Sequence, residues 1–191
     1  MLTLRPLTET QTRLLYAHQM WRDFPDSELK PLDSILRMKC EGVYDVLGAH
    51  DGGTMIAYAL VYRPQQGRVL LLDYLAVEPV CRGRGVGTAL LGALRAYYAA
   101  AADVMLIECE RPKAAPDEKQ ARGRIRFYER CGAHLTSTRV WLFEVEYSIM
   151  ALPCKEAVPT EGQDWAKEIL SLYRQMLQPE AYARNVRLIR S

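Results

Sequence analysis

The stretch Arg82–Thr88 carries the clearest chemical signal in the sequence, because glycine occupies alternate positions at Gly83, Gly85 and Gly87. The Leu- and Val-rich run Val69–Val77 before it predicts a buried strand, and the residues from Gly85 onward predict a helix. The glycines allow positive φ and a close approach of backbone to ligand, while the first helical turn presents unpaired N–H groups. With the helix dipole and two arginines, the stretch predicts an anion-binding loop.

The spacing of the glycines excludes two common phosphate-binding loops. A Walker A loop requires Lys after its last glycine, whereas Thr88 follows Gly87 here. A dinucleotide-binding Gly-x-Gly-x-x-Gly requires a third glycine where this chain has Thr88 or Leu90, depending on the glycine that starts the motif. The anion must therefore belong to another class of ligand, or the loop is a tight strand-to-helix turn that binds nothing.

A third phosphate loop does fit. Arg82-Gly83-Arg84-Gly85-Val86-Gly87 matches Arg/Gln-x-x-Gly-x-Gly/Ala and resembles the pyrophosphate loop of the GNAT superfamily of acyl-CoA N-acyltransferases. Leu75-Ala76-Val77-Glu78-Pro79 resembles the family strand that pairs with the pantetheine arm. Arg126-Phe127-Tyr128-Glu129-Arg130-Cys131-Gly132-Ala133 is similar to the second family signature, Phe-Tyr-x-x-x-Gly-Phe/Ala. The two signatures are separated by about forty residues with one predicted helix and one predicted strand, as in the family.

The resemblance implies a fold and a co-substrate. The fold is α/β, with a mixed α+β sheet in which an antiparallel meander precedes a splayed parallel strand pair and helices cover both faces. The co-substrate is acetyl-CoA, and no metal is implied. The residues implied to bind it are Leu75, Ala76, Val77, Arg82, Gly83, Arg84, Gly85, Val86, Gly87 and Thr88.

The implied reaction is direct attack of a primary amine on the thioester. It requires an unprotonated amine, a polarised carbonyl and protonation of the leaving thiolate. The resemblance implies that the backbone N–H near Val77 polarises the carbonyl and that Tyr128 donates a proton to sulfur. The alternative for Tyr128 is a buried, hydrogen-bonded tyrosine of the core. Among the carboxylates that could act as base, we favour Glu108 over Asp73 and Glu110, although each could instead be solvated or salt-bridged at a strand end.

Composition limits the other functional classes. The 191 residues are 49% hydrophobic and 25% charged, which suits one globular domain with a core over residues 1–152 and a helical extension over 153–191. A formal charge of +2 does not favour nucleic acid. We expect a cytoplasmic protein, because no signal peptide or membrane-length apolar run is present in the sequence. We expect it to be a monomer or a homodimer. Five scattered cysteines favour reduced thiols over zinc, and Cys81 beside the loop has no nearby His.

Apolar periodicity and turn residues predict the remaining elements. Thr8 caps a helix that runs to Trp21, with Leu14, Ala17 and Trp21 on one face. A polar loop and a second helix, Leu32–Cys40, follow. The other predicted elements are strands over 2–5, 43–49, 54–63, 104–110, 134–143 and 145–152, helices over 118–130 and 164–177, a hairpin turn at Asp51-Gly52-Gly53, and a helix stop at Pro179.

The family resemblance also indicates where the acceptor would bind. Its first two helices and their loop form one wall of the acceptor site, so Phe24, Glu28 and Lys30 are candidate specificity residues, with ordinary loop surface as the alternative for each. The basic residues of 111–130 lie near the implied phosphates of coenzyme A, or form a solvated helix face. One departure is that Ala121 and Arg124 stand where family members often carry Asn and a small residue.

Two further interpretations remain open at this stage. In the first, the protein binds acyl-CoA without catalysis, as a sensor or interaction module. In the second, the basic helix and tail indicate a protein that associates with nucleic acid or the ribosome and modifies a protein substrate. The sequence does not distinguish a small amine from a peptide amine as acceptor, and fold analogy cannot choose between them. The tail after residue 152 could pack on its own domain, close the acceptor site or contact a second subunit.

Overall fold

The computed structural model describes residues 2–155, 158, 160 and 163–189. The strands in that part of the chain are β1 (Thr3–Pro6), β2 (Tyr44–Asp51), β3 (Thr54–Tyr62), β4 (Val69–Val77), β5 (Val104–Glu110), β6 (His134–Leu142), β7 (Val145–Pro153) and β8 (Val186–Leu188). The helices are α1 (Glu9–Leu15), α2 (Trp21–Asp23), α3 (Leu32–Cys40), α4 (Val86–Tyr98), α5 (Glu118–Arg130), α6 (Ala166–Met176) and α7 (Pro179–Asn185).

The chain folds into two compact units. The first contains the residues up to Gln65 together with Asp73–Leu94, and the second contains Gln66–Leu72 together with the residues from Arg95 onward. Strand β4 therefore contributes its first half to the second unit and its second half to the first.

The first unit contains the strand order β1-β2-β3-β4. Strands β1 and β2 pair antiparallel, as do β2 and β3. Gly52 and Gly53 turn the β2–β3 hairpin with φ of +54° and +90°, as the Asp-Gly-Gly sequence predicts. Helix α3 packs against β2, and Ile35 and Met38 are its buried side chains. This unit carries the glycine loop.

The second unit contains the strand order β4-β5-β7-β6-β8. Strands β4 and β5 pair parallel from Val69↔Val104 to Leu72↔Ile107, and β5 continues antiparallel to β7. Parallel strands require a crossover connection, which α4 provides. The predicted mixed sheet with an antiparallel meander and a parallel strand pair is thus confirmed. The bounds of β4, β5 and α5 are those expected from the sequence.

The N-terminal helix differs from the prediction. Thr8 caps it through a reciprocal pair of hydrogen bonds with Gln11. A π-helical segment, Tyr16–Met20, then follows α1. Because a π turn holds an extra residue, it rotates the apolar stripe. Leu14, Ala17 and Trp21, which were predicted to share one face, are all exposed, with Leu14 and Trp21 about half exposed at 54% and 50%. The buried residues are Thr12, Leu15 and Met20.

The C-terminal extension packs on its own unit. Helix α6 buries Ile169, Leu172, Tyr173 and Met176, whereas Trp165 is only half buried. Helix α6 ends at Met176, before Pro179 as predicted, and Pro179 then begins α7, because proline suits the first position of a helix. The tail then adds β8 to the edge of β6, with Val140↔Leu188 to Leu142↔Val186 in register. Residues 156, 157, 159, 161 and 162 of the predicted extension, together with its last two residues, lie outside the described residues.

In the described part of the chain, every helix is too short or too polar to span a membrane.

Candidate active site

The glycine loop connects the end of β4 to α4. Gly83 and Gly85 have φ of +75° and +78°. A Cβ at either residue would meet no atom within 4 Å, so backbone conformation and not crowding requires glycine there. The first described helical bond runs from the Ala89 N–H to the Gly85 oxygen at 3.0 Å. The N–H groups of Val86 and Gly87 in the first turn therefore have no acceptor within the helix.

A surface depression of about 200 Å³ adjoins this loop in the first unit. Its lining combines loop and helix residues with residues of the β1–β3 side: Leu2, Asp51, Ile56, Arg84, Gly85, Val86 and Ala89. Pockets that enclose whole ligands are commonly about 300–1,000 Å³, so this depression is the size of part of a ligand. Arg84 supplies a positive charge and the helix start supplies the positive dipole end, while Asp51 adds an opposing negative charge.

Arg82 makes protein contacts that the sequence does not reveal. Its Nε donates to the Val77 carbonyl at 2.9 Å, and its Nη2 donates to Asp23 at 2.8 Å. The Arg82 side chain therefore fastens the start of the loop to the end of β4. Of the two predicted anion-binding arginines, Arg84 is the one that lines the depression.

Asp23 is the centre of a buried polar cluster in the first unit. Its side chain is 2% exposed and accepts hydrogen bonds from Arg22, Arg82 and the Tyr58 hydroxyl. Arg22 also pairs with Glu78 at 2.9 Å. Burial and the charge of Asp23 raise the pKa of Tyr58, and the hydrogen bonds to Asp23 and Glu78 raise the pKa of Arg22. These contacts tie the N-terminal helical region to the strand end that precedes the glycine loop.

Asp73, one of the predicted bases, is held by two side chains. Oδ1 accepts from the Lys30 ammonium at 2.7 Å, and Oδ2 accepts from the Tyr44 hydroxyl. The Asp73 side chain is 4% exposed and that of Lys30 is 17% exposed. A general base must be within reach of the proton that it removes. Both oxygens of this carboxylate are already bound by protein donors, an arrangement that suits an anchor better than a base.

Tyr74 holds the loop that contains the predicted specificity residues. Its hydroxyl donates to the Glu28 carbonyl at 2.7 Å and accepts from the Lys30 N–H at 2.9 Å. Phe24 packs edge-on against the Tyr74 ring at 4.9 Å, and the Lys30 ammonium lies 5.5 Å from the ring centre. Burial raises the pKa of Tyr74, so its hydroxyl stays protonated as a donor. The segment from Phe24 to Lys30 is thus fixed onto β4.

Tyr128, the predicted proton donor, lies on α5 of the second unit. Asp117 caps this helix by accepting from the Gln120 N–H, and Gly132 ends it with φ of +90°. Tyr128 is 8% exposed, and Phe127 lies beside its ring. Burial raises the pKa of Tyr128, whereas the nearby charge of Arg124 lowers it. The phenol is therefore protonated at neutral pH, as a donor must be.

Glu108, the favoured base, lies on β5 of the same unit. It accepts a hydrogen bond from the Tyr173 hydroxyl at 2.6 Å. The adjacent Cys109 is fully buried, and its thiol lies 3.6 Å from the Met150 sulfur. Burial raises the pKa of the Cys109 thiol to about 12, which keeps it uncharged. Glu110 is half buried at the end of the same strand.

The structure thus distributes the predicted residues over both units. Leu75, Ala76, Val77, the glycine loop and Asp73 belong to the first, and Glu108, Glu110 and Tyr128 belong to the second. Sequence reasoning missed the partners that hold these residues, namely Asp23, Tyr44, Tyr58, Tyr74 and Tyr173. The partners are separated from their targets by 29 to 65 positions along the chain. A single sequence carries no local signal for such contacts. Among the described residues, no group of three His, Cys, Asp or Glu side chains is placed to hold a metal ion.

Comparison with known proteins identifies the family. The sequence profile of the acetyltransferase (GNAT) family matches residues 12–133. A comparison with curated protein sequences found no match. Among solved structures, the chain is similar to the ribosomal-protein-S18-alanine N-acetyltransferase of Escherichia coli, with 22% identity, a TM-score of 0.61, and coverage of 83% of this chain and 97% of that one.

Two other solved structures share the fold. A Bacteroides thetaiotaomicron protein, provisionally described as a GNAT-family acetyltransferase, is 19% identical with a TM-score of 0.69, covering 91% of this chain and 95% of that one. The spermidine N-acetyltransferase of Vibrio cholerae, in complex with CoA and spermine, is 14% identical with a TM-score of 0.60, covering 80% and 95%. The family profile spans more than half of the chain, which makes this protein an acyltransferase. The chain belongs to the GNAT acetyltransferase family.

Proposed function

We propose that this protein transfers an acetyl group from acetyl-CoA to a primary amine by direct attack on the thioester. The observation that carries the proposal is the loop before α4, where Gly83 and Gly85 adopt positive φ. The helix start, whose first N–H groups have no acceptor within the helix, adjoins a depression lined by Arg84. Such a site favours phosphate oxygens. The V. cholerae N-acetyltransferase was solved in complex with CoA and the amine spermine, which supports a coenzyme A thioester and an amine as the two substrate classes here.

The proposal assigns a role to each group of residues. The segment from Arg82 to Thr88 binds the pyrophosphate, and Leu75, Ala76 and Val77 bind the pantetheine arm. The amine nitrogen forms a bond to the thioester carbon as the carbon–sulfur bond breaks. Glu108 accepts the proton that the amine loses, and Tyr128 donates its proton to the departing sulfur. Burial raises the pKa of Tyr128, so the phenol carries the proton that this role requires.

We also propose a single acetyltransferase domain, with a core to residue 152 and an extension over 153–191. The family match supports this organisation, because residues 12–133 include sequence from both compact units.

Thiol release measured over a panel of amines tests the proposed reaction. The panel contains a polyamine, a small amino-acid amide and a peptide with a free N-terminus, and mass spectrometry identifies acetylated product. Tyr128→Phe is expected to lower kcat about 100-fold with unchanged acetyl-CoA affinity. Tyr97→Phe is the matched control, because Tyr97 is an exposed tyrosine at 46%. If the protein binds acetyl-CoA but acetylates no amine, it is a sensor or interaction module and not a transferase.

A further inference from the structure

Helix α6 places Tyr173 in contact with Glu108, the favoured base. The Tyr173 hydroxyl donates to Glu108 Oε1 at 2.6 Å, and Tyr173 is 2% exposed. Tyr173 lies forty residues beyond the end of the family match at residue 133, in the C-terminal extension. The extension therefore contacts a residue of the family core directly.

Packing alone does not account for this hydroxyl. The other buried side chains of α6, Ile169, Leu172 and Met176, are apolar, and phenylalanine at position 173 would complete that face. A buried phenol requires a partner, and Glu108 provides one. A separation of 2.6 Å is typical of an O–H donor to an ionised carboxylate, where such bonds run about 2.5–2.7 Å.

The hydrogen bond from Tyr173 fixes the direction in which the Glu108 carboxylate points. A glutamate side chain has several rotatable bonds, so a half-buried Glu108 without a fixed partner would sample several rotamers. Tyr173 approaches from a helix held against the sheet, because α6 packs against the neighbouring strands β6 and β8. Its rigid ring therefore confines Oε1 to one place and, through the carboxylate plane, restricts Oε2 as well.

We propose that Tyr173 is a positioning residue, supplied by the C-terminal extension, that fixes the Glu108 carboxylate for removal of the proton from the acceptor amine. This inference rests on the proposed function. In the step, the amine loses one proton to Glu108, the new nitrogen–carbon bond replaces the carbon–sulfur bond, and the thiolate receives its proton from Tyr128. Tyr173 keeps its own proton throughout and forms no bond to substrate.

A double-mutant cycle on the full-length chain tests the proposal. The variants are Tyr173→Phe, which removes only the hydroxyl, Glu108→Gln, which keeps an oxygen acceptor but no base, and the double variant. Glu108→Gln is expected to lower kcat about 100-fold. Tyr173→Phe is expected to lower kcat about 10-fold with unchanged KM for acetyl-CoA, because a misdirected base slows the chemical step. In the Glu108→Gln background, Tyr173→Phe should have no further effect.

Controls separate positioning from folding. Tyr182→Phe makes the same chemical change on α7, and it should leave kcat as in the wild type. Thermal unfolding of every variant shows whether a rate change follows a loss of folded protein. Retained kcat in Tyr173→Phe or in Glu108→Gln would overturn the proposal, and so would a 10-fold effect of Tyr173→Phe in both backgrounds. These outcomes leave the proposed acetyl transfer standing, and retained kcat in Glu108→Gln removes only Glu108 from it as the base. A wild-type protein that acetylates no amine contradicts the proposed function and this role together.

Discussion

Replacing Asp73 by Asn separates the two roles that this carboxylate can have. If Asp73 is the base, the substitution lowers kcat with little change in the free energy of unfolding. If Asp73 is an anchor, it lowers the free energy of unfolding with little change in kcat. In the structure, Lys30 and Tyr44 each donate to one oxygen of Asp73, and the Asp73 side chain is 4% exposed. We therefore expect Asp73→Asn to lower the free energy of unfolding and to retain kcat wherever the variant is folded.

The loss in free energy of unfolding depends on which member of the Lys30–Asp73 pair remains without its partner. Asp73→Asn leaves the Lys30 ammonium, whose side chain is 17% exposed and can turn toward water, so the expected cost is about 2 kcal/mol. Lys30→Met leaves the nearly inaccessible carboxylate of Asp73 without its cation, and the expected cost rises to about 3–5 kcal/mol. Glu41→Gln is the control, because it removes an exposed pair with Arg37, and pairs of that kind contribute about 0.5 kcal/mol or less.

Urea unfolding followed by tryptophan fluorescence measures the three free energies, and initial rates of thiol release measure kcat. The anchor role predicts that Lys30→Met is less stable than Asp73→Asn, and that Asp73→Asn is less stable than Glu41→Gln. It also predicts wild-type kcat for Asp73→Asn. A loss of about 100-fold in kcat with an unchanged free energy of unfolding would refute this reasoning and make Asp73 the base.

Three further predictions concern other parts of the chain. Glu144→Gly should raise the free energy of unfolding by about 1 kcal/mol, because Glu144 has φ of +69° in the β6–β7 turn; an unchanged urea midpoint would contradict this. Iodoacetamide should label the exposed Cys40 first and leave Cys109 and Cys154 unlabelled in the native protein, because burial raises the pKa of these two thiols to about 12 and about 11. Peptide mass spectrometry measures the order of labelling, and early labelling of Cys109 would disprove the prediction. Tyr74→Phe should raise the KM for the amine several-fold with unchanged acetyl-CoA affinity, because it releases the loop from Phe24 to Lys30. Initial rates that show an unchanged KM for the amine and a weaker affinity for acetyl-CoA would indicate that this loop does not bind the acceptor.

The sequence was sufficient for the elements whose signals are local. Strand β4, strand β5 and helix α5 have the predicted bounds because periodicity, turn residues and a helix-ending glycine act over a few neighbouring positions. The conformation of the glycine loop followed for the same reason. The π turn in the N-terminal helix was missed, since one extra residue in a turn leaves no mark in the pattern of apolar residues.

The contacts that hold the candidate site residues were beyond a single sequence. Arg82 and Asp23 are 59 positions apart, and Tyr173 and Glu108 are 65 apart. Nothing near Arg82 in the sequence indicates that its guanidinium binds the buried Asp23 carboxylate. The strand β8 was missed because three residues that complete a sheet edge have no periodicity of their own.

Calorimetric titration with acetyl-CoA tests the central claim most directly, because the proposed reaction depends on the loop before α4. The variants are Gly85→Glu, Gly85→Gln and Gly67→Glu; Gly67 also has positive φ, at +104°, with open space around it, so it controls for strain. We predict saturable binding by the wild type and by Gly67→Glu, and affinity lowered about 100-fold in Gly85→Glu and less in the neutral Gly85→Gln. Wild-type protein that binds no acetyl-CoA, or Gly85→Glu that binds as tightly as Gly67→Glu, would contradict the assignment of the loop.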